Sequence, residues 1–475
     1  MNLVFPNLPA YDFIHRTLSF EYEDLILPVV EKLRLTPSKS KAYKPDLYYL
    51  SPFAGKGERS RPDTWRQVIM SLANRNFAAP SINEDHDVSM TAKLMFDSVT
   101  KLLRLDRISE HFEVAEPCIN KINMWLLTRD SRKFKNIIKN MNYKLWSDEV
   151  TNMKIMVKGD MKPKLDNSHF SKYSPPSNIV YYQHIINMYF SPIFLEIFAR
   201  INYCLPDNII LYSGMNLDDL AISVQSKLRG PLESYHYTEI DFSKFDKSQG
   251  VIVKRYEELL YKFFKFSPNV YDNLKLSEYF CQAKSASGIA VDLFASRRTG
   301  SPNTWLSNSL CTLGMLSMVY DIADIELLLV SGDDSLIISK EKLPNQTSEL
   351  NRLFGMESKY QENPCPYFCS KFILNVNNKI VILPDLVRLF EKLSVPISHS
   401  QLTHPTLLRE RFTSYRDLIK GYFDLSVHNI LDHFLSLRYH HPEFASYASF
   451  CYIHVIFSNF QSFRKVFETE NVVLI

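Results

Sequence analysis

Two apolar runs that flank a short acidic turn constrain the fold of this chain more than any other feature. Residues 325–330 and 335–339 are strongly apolar, and Gly332-Asp333-Asp334 lies between them. Short apolar runs bounded by turn residues predict buried strands, and Gly and Asp are favoured in tight turns. The pattern predicts a β-hairpin with two carboxylates at its tip. A turn without further function is the plain alternative, but adjacent carboxylates without a counter-charge are expensive beside buried strands, which favours a ligand site.

A second acidic segment lies far upstream. Residues 237–242 are typical of a short strand that leaves Asp241 near its C-terminal end. Two-metal sites use carboxylates from separate chain segments, and Mg²⁺ prefers oxygen ligands. We therefore predict that Asp241 and Asp333 bind Mg²⁺, with Mn²⁺ as the alternative ion, and that Asp334 assists. Asp246 is assigned to sugar recognition, and a solvated loop aspartate is its alternative.

A glycine-containing loop precedes a predicted helix between these two segments. Residues 297–302 are interpreted as a flexible basic loop around Gly300. Thr304 and Asn308 are four residues apart and therefore share one helix face. Hydroxyl and amide groups on such a face can hydrogen-bond a ribose 2′-hydroxyl. Ordinary capping of the helix N-terminus is the alternative interpretation.

Composition limits the class of protein. The 475 residues are 45% hydrophobic and 23% charged, which is typical of a globular protein, and the net charge is only +3. Basic residues cluster within 129–144 and 154–164, which indicates either a basic groove or solvated helix faces. The seven scattered cysteines argue against a disulfide framework and for a reducing compartment. We expect neither a signal peptide nor a transmembrane segment, because no run approaches the ~20 apolar residues of a membrane span.

Helical and strand patterns are mixed along the chain, so the expected fold class is α+β. Helices are predicted over 63–76, 88–128, 179–202 and 250–265. Residues 367–374 and 380–383 are predicted to form a second hairpin, and the chain after Pro384 is predicted to be mainly helical.

These segments, in this order, resemble the RNA-dependent RNA polymerases of positive-strand RNA viruses. More narrowly, they resemble the alphavirus-like supergroup, which includes many plant viruses, and within it the closteroviruses and criniviruses. Residues 241–246 are similar to motif A, residues 297–308 to motif B, and Gly332-Asp333-Asp334 to motif C. The Arg-Arg-Thr-Gly form at residues 297–300 is typical of this supergroup.

Flanking segments extend the resemblance over roughly residues 65–395. Residues 156–166 look like the basic fingers motif, which implies that Lys158 and Lys162 meet the template or the triphosphate. Residues 357–359 resemble motif D, which implies that Lys359 protonates the pyrophosphate leaving group. Residues 368–372 resemble motif E. The arginine that clamps the triphosphate in the family has no clear match here.

The resemblance implies a right-hand polymerase with fingers, an antiparallel-sheet palm and a helical thumb. The corresponding boundaries are residues 1–150 for an N-terminal extension with fingers elements, 151–232 for the fingers, 233–385 for the palm with an inserted fingers segment, and 386–475 for the thumb. It also implies nucleotide contacts by Asp246, Gly300, Thr304 and Asn308, and a viral methyltransferase-helicase partner, because the sequence has no Walker-type loop. The expected location is the host cytoplasm, at membrane-associated replication complexes reached through partners.

Two other functions remain open from the sequence. A reverse transcriptase shares the palm, although the glycine before Asp333-Asp334 and the Thr304/Asn308 face disfavour it. A catalytically silent RNA-binding or scaffold protein is the third hypothesis, and the intact set of carboxylates argues against it.

Overall fold

This computed structural model describes residues 33–35, 47–49, 64–77, 87–108, 112–129, 135, 137, 150–158, 176–243, 245–393, 397–398, 404–466 and 472–474. Helices and sheets alternate along these residues, which confirms the α+β class. The predicted site residue Lys162 lies outside the described residues. None of the described helices is both long enough and apolar enough to cross a membrane.

The helices are spread over the described chain. They are α1 (Trp65–Arg75), α2 (Val88–Leu102), α3 (Ile119–Leu127), α4 (His184–Cys204), α5 (Leu217–Lys227), α6 (Phe245–Ser248), α7 (Val251–Phe263), α8 (Pro268–Tyr279), α9 (Thr304–Val319), α10 (Thr347–Phe354), α11 (Leu386–Leu393), α12 (Pro405–Leu418), α13 (His428–Tyr439), α14 (Tyr447–Ile456) and α15 (Phe460–Lys465).

The strands form two five-stranded and two three-stranded sheets. They are β1 (Leu33–Leu35), β2 (Leu47–Tyr49), β3 (Asn152–Val157), β4 (Asn178–Tyr181), β5 (Ile209–Leu211), β6 (His236–Phe242), β7 (Phe280–Ser285), β8 (Ile289–Phe294), β9 (Leu327–Ser331), β10 (Asp334–Ser339), β11 (Ser358–Asn363), β12 (Tyr367–Phe368), β13 (Lys371–Val376), β14 (Lys379–Pro384), β15 (Ile397–Ser398) and β16 (Val472–Leu474).

The central sheet has the order β11-β6-β10-β9-β5 and is antiparallel except for the β5–β9 pair. The paired strands β9 and β10 carry the uninterrupted apolar runs 327–330 and 336–338 because both of their faces are buried there. Leu328 and Ile337 pack into the larger core, whereas Leu327 and Leu336 point to the opposite face and pack into a smaller one. Successive side chains of a strand point to opposite faces, so an uninterrupted apolar run is what a sheet covered on both sides requires.

Both predicted hairpins are confirmed, although residues 367–374 form two paired strands, β12 and the start of β13, and not one. β9 and β10 pair from Asp334↔Ser331 to Ile338↔Leu327, so the acidic turn joins two adjacent strands. β13 and β14 pair around Asn377 and Asn378, which both have positive φ, as a two-residue hairpin turn of this type requires. The chain after Pro384 is mainly helical, as predicted, and its helices pack with β13 and β14 in a separate core.

Two predicted helices differ from the observed elements. Residues 179–202 were expected to form one helix interrupted at Pro192. Instead Asn178–Tyr181 is a strand paired with β3, and α4 begins at His184 and continues through Pro192. A short apolar segment does not distinguish a strand from a helix, and the partner strand decides here. Residues 88–128 were expected to be helical throughout, but the described residues contain two separate helices, α2 and α3, and a 3-10 turn at Leu105–Arg107.

Candidate active site

Strand register brings charged side chains from three strands into one row. Lys359 of β11 lies opposite Asp241 of β6. Leu336 of β10 lies opposite Glu239 of β6, and two steps further along the same antiparallel register Asp334 faces Asp241. Residues directly opposite each other project to the same face of a sheet. The row is thus a cation followed by two carboxylates, with Asp333 next to it in the turn.

The carboxylates of this row repel one another. Partial loss of hydration raises the pKa of Asp333 to about 6, and the negative charges of Asp334, Asp246 and Asp241 add to the rise, although the side chain remains accessible to solvent. The pKa of Asp241 is raised as well, first by partial loss of hydration. The positive charge of Lys359 opposes this rise, and the negative charge of Asp334 adds to it. These shifts describe an acidic cluster whose negative charge is only partly compensated by the protein.

Side chains of helix α9 form hydrogen bonds with the acidic turn. Ser309 Oγ accepts a hydrogen bond from Gly332 N (2.8 Å), and Thr312 Oγ1 donates to Gly332 O (2.8 Å). One turn earlier, Trp305 Nε1 donates to Ser331 Oγ (3.0 Å). Gly332 has φ of +66°, the left-handed region that favours glycine. These bonds fix both peptide groups of the glycine and aim Asp333 outward.

Sequence reasoning missed these three helix residues. Trp305, Ser309 and Thr312 are spaced by four and three residues and therefore form one face of α9. That polar face was visible in the sequence, but nothing in it indicated that the face meets the turn. Cys369, in the segment that resembles motif E, also lies near the acidic row: burial and then the nearby Asp334 carboxylate raise the pKa of its thiol.

The structure brings together two of the three residues predicted to recognise the sugar, Asp246 and Asn308. Asn308 Nδ2 donates a hydrogen bond of 2.8 Å to Asp246 Oδ1. Asp246 lies in the short helix α6 directly after β6, and Asn308 lies in α9. The pair therefore stands beside the acidic row, because Asp241 is the penultimate residue of β6 and the charge of Asp246 reaches Asp333.

Gly300 and Thr304 have structural contacts of their own. Gly300 N donates to Val180 O (2.8 Å), and a Cβ on Gly300 would lie 2.4 Å from Tyr181 Cβ, so only glycine fits against β4. The Thr304 hydroxyl bonds the carbonyl oxygens of Arg298 (2.7 Å) and Ser301 (2.8 Å). These bonds tie Thr304 to the preceding loop and are not N-terminal capping, because the helix has no side-chain cap hydrogen bond. The contact of Thr304 with ribose stays a prediction.

The expectation of a flexible basic loop is wrong for its two arginines. Arg297 and Arg298 are 1% and 0% exposed. Arg298 donates to Ser296 Oγ and to the Leu293 carbonyl oxygen, and Arg297 pairs with buried carboxylates. The sequence could not show this, because the carboxylates that neutralise Arg297 come from distant helices.

The two described candidate lysines occupy different sheets. Lys359 is exposed on β11 beside Asp241. Lys158 is exposed immediately after β3, in the sheet of order β1-β8-β7-β3-β4. The backbone N–H of Lys158 donates to Ser177 O (2.7 Å), and this bond fixes the position of the Lys158 main chain.

The candidate metal ligands are Asp241, Asp333 and Asp334. Within the described part of the chain, no group of three or more His, Cys, Asp or Glu side chains converges closely enough to form a ready coordination sphere. The donor set nevertheless fits hard divalent cations, which take carboxylate oxygens and keep several waters. The raised pKa values of Asp241 and Asp333 fit as well, because they report negative charge that a cation would offset.

Comparison with known proteins identifies the family. The family model described as RNA dependent RNA polymerase matches residues 22–466. The chain is 35% identical over 348 residues to the replicase polyprotein 1ab of beet yellows virus, an alignment that covers 73% of this chain and 11% of that protein. It is 31% identical over 474 residues to replicase polyprotein 1ab of grapevine leafroll-associated virus 3, covering 98% of this chain and 17% of that protein.

A third relative is the RNA-directed RNA polymerase 2a of brome mosaic virus, with 27% identity over 420 residues, 86% of this chain and 49% of that protein. The chain thus spans about half, or much less, of the length of these relatives. The chain belongs to the RNA-dependent RNA polymerase family. Its relatives come from plant viruses and confirm the predicted resemblance to the alphavirus-like supergroup.

Proposed function

We propose that this chain performs template-directed synthesis of RNA from ribonucleoside triphosphates and so replicates the genome of a positive-strand RNA virus. The observation that carries the proposal is the row formed by Lys359, Asp241 and Asp334 beside the turn that presents Asp333. Family membership and the names of the relatives, replicase polyprotein and RNA-directed RNA polymerase, support it. The right-hand arrangement of fingers, palm and thumb is part of the proposal.

The carboxylates act as ligands. Asp241 and Asp333 would hold the divalent cations, Mg²⁺ or alternatively Mn²⁺, and Asp334 would assist. Such ions, when bound, neutralise phosphate charge and stabilise the negative charge on the attacking and leaving oxygens of an in-line displacement. The protein contributes position: three strands and the bonds from Ser309 and Thr312 to Gly332 fix where the carboxylates point.

Nucleotide addition forms one bond and breaks one bond. The 3′-hydroxyl oxygen of the nascent strand bonds to the α-phosphorus of the triphosphate, its proton passes to solvent, and the bond to pyrophosphate breaks. Lys359 would give its proton to the departing pyrophosphate, because it stands next to Asp241 at the edge of the row. Lys158 and Lys162 would bind the triphosphate or template through their positive charge.

Asp246 and Asn308, the pair beside the acidic row, would recognise the ribose. Asn308 occupies one oxygen of Asp246, and the second oxygen would accept a hydrogen bond from the 2′-hydroxyl of the incoming nucleotide. Gly300 keeps the preceding loop against β4, and Thr304 ties the loop to the start of α9.

Template and nascent RNA are the proposed macromolecular ligands. A viral methyltransferase-helicase protein is the proposed partner, since two of the relatives are replicase polyproteins far longer than this chain. Membrane-associated replication complexes in the host cytoplasm are the proposed location.

Extension of a primed RNA template tests the function against its rivals. We expect the protein to incorporate ribonucleotides and to use deoxyribonucleotides poorly. Preference for deoxyribonucleotides would indicate a reverse transcriptase. RNA binding without synthesis, and without any requirement for a divalent cation, would indicate a scaffold protein.

A further inference from the structure

A line of buried side chains connects Arg297 to the sugar-recognition pair. Arg297 Nε donates to Gln249 Oε1 (2.9 Å), and Gln249 Nε2 donates to Asn308 Oδ1 (2.8 Å). Asn308 Nδ2 then donates to Asp246 Oδ1 (2.8 Å). Gln249 is 0% exposed and Asn308 is 6% exposed, so water does not compete with this relay.

The hydrogen bonds of this relay from Arg297 to Asp246 can run in only one donor-to-acceptor direction. A guanidinium group donates hydrogen bonds and cannot accept them, so the side-chain oxygen of Gln249 must face Arg297. Its amide nitrogen must then face Asn308, which must present its oxygen to Gln249 and its nitrogen to Asp246. The amide orientations, which are otherwise assigned by choosing the better hydrogen-bond network, follow here from the chemistry of Arg297.

Arg297 is itself rigidly held. It pairs with the buried carboxylate of Glu257, and its Nη1 lies 3.2 Å from Glu278 Oε1. Lys254 Nζ lies 3.1 Å from the same Glu278 oxygen, so Arg297 and Lys254 share this buried carboxylate. The backbone N–H of Arg297 also donates to Asp246 O (3.3 Å). One residue thus fixes both the main chain of Asp246 and, through the relay, the partner of its side chain.

We propose that Gln249 is a positioning residue for the choice of ribonucleotides over deoxyribonucleotides. Arg297 orients the Gln249 amide, and the Gln249 amide in turn orients the Asn308 amide. Asn308 then binds one oxygen of Asp246, so that the other oxygen is the one that meets the 2′-hydroxyl. This inference rests on the proposed function. Without the relay, the Asn308 amide can turn its oxygen toward the Asp246 carboxylate, the two oxygens repel, and the sugar loses its fixed acceptor.

The test replaces Gln249 by residues of similar size that fail in different ways. Gln249→Glu still accepts from Arg297 but cannot donate to Asn308, and Gln249→Met makes neither bond. The readout is kcat/KM for ATP against 2′-deoxy-ATP on a primed RNA template. We expect both variants to lose about tenfold in this discrimination, which corresponds to ~1.4 kcal/mol. The loss comes from a lower kcat/KM for ATP, because only ATP carries the 2′-hydroxyl, while kcat/KM for 2′-deoxy-ATP stays nearly unchanged. General misfolding would lower both constants together.

Two further variants sharpen the result. Asn208→Ala removes hydrogen bonds to the carbonyl oxygens of Ile322 and Ile325, remote from the relay, and should destabilise the protein without changing discrimination. Because Gln249 acts through Asn308, the double variant Gln249→Met/Asn308→Ala should discriminate no worse than Asn308→Ala alone. Additive losses would overturn the relay.

The outcomes separate this inference from the proposed function. A wild-type protein that incorporates ribonucleotides, with Gln249 variants that discriminate as well as it does, overturns the inference alone. A wild-type protein that incorporates nothing overturns the proposed function. The relay is then decided by a crystal structure of Gln249→Glu: separation of Asn308 from Asp246 beyond hydrogen-bond distance supports it, and an unchanged contact of 2.8 Å refutes it.

Discussion

The hydrogen bond from Thr312 to the acidic turn gives the most direct test of how the helix positions the carboxylates. Thr312 is fully buried, and its hydroxyl donates to Gly332 O over 2.8 Å. Thr312→Val keeps the shape of the side chain and leaves that carbonyl oxygen without its donor. A buried polar group without its partner costs about 1–3 kcal/mol, so the free energy of unfolding should fall by ~1–3 kcal/mol.

The effect on catalysis should be larger than the effect on stability alone suggests. Asp333 follows Gly332 directly, and a misplacement of ~1 Å in a reacting group lowers a rate by about 100-fold. We expect Thr312→Val to lower kcat by roughly 10- to 100-fold, with little change in KM for the nucleotide, because the residue does not contact substrate. Single-nucleotide extension of a primed RNA template gives both constants, and urea denaturation gives the stability.

Tyr256→Phe is the matched control. Its hydroxyl is buried and donates to Leu310 O (2.9 Å) on the same helix α9, whereas the bonds to Gly332 come from Ser309 and Thr312. It should lose similar stability and keep its kcat. If Thr312→Val is destabilised to the same degree and extends primers at the wild-type rate, the helix does not position the turn.

Two further predictions follow from the same geometry. Asp333→Asn should make the metal-free protein more stable at pH 7–8, because partial loss of hydration and the adjacent carboxylates raise the pKa of Asp333 to about 6. The folded wild-type protein therefore loses stability as the pH rises from the unfolded pKa of about 4 through 6. Urea unfolding should give the two proteins equal stability below pH 4, and equal stability at pH 8 would refute the repulsion. Gly300→Ala should reduce the yield of soluble folded protein, because its Cβ would lie 2.4 Å from Tyr181 Cβ. Gly230→Ala is the control and should be tolerated, because its nearest neighbour is the Tyr235 hydroxyl at 3.0 Å. Circular dichroism and melting temperatures compare the two variants, and similar melting temperatures would contradict the close approach at Gly300.

Local signals in the sequence were sufficient for the acidic hairpin. Two apolar runs, a glycine and two aspartates predict strand, turn and strand, and the burial of both sheet faces explains why the runs are continuous. Asp246 and Asn308 were each assigned to ribose recognition from the sequence, but the hydrogen bond between them was not predicted.

Contacts between distant segments were not predictable in the same way. The burial of Arg297 depends on Glu257 and Glu278, which lie in α7 and α8, and no local pattern indicates that they meet it. The bonds from Ser309 and Thr312 to Gly332 likewise require the crossing of α9 under the hairpin. Asn178–Tyr181 was mistaken for helix because its strand character comes from pairing with β3.

Incorporation of labelled ribonucleotides on a primed RNA template with Mg²⁺, by the wild-type protein and by Asp333→Asn and Asp333→Ala, tests the central claim most directly. Asp333→Asn preserves the shape of the side chain and removes its charge, so both variants should retain wild-type circular dichroism and lose incorporation. Either variant extending the primer at the wild-type rate would contradict the assignment of Asp333 as a metal ligand and, with it, the proposed active site.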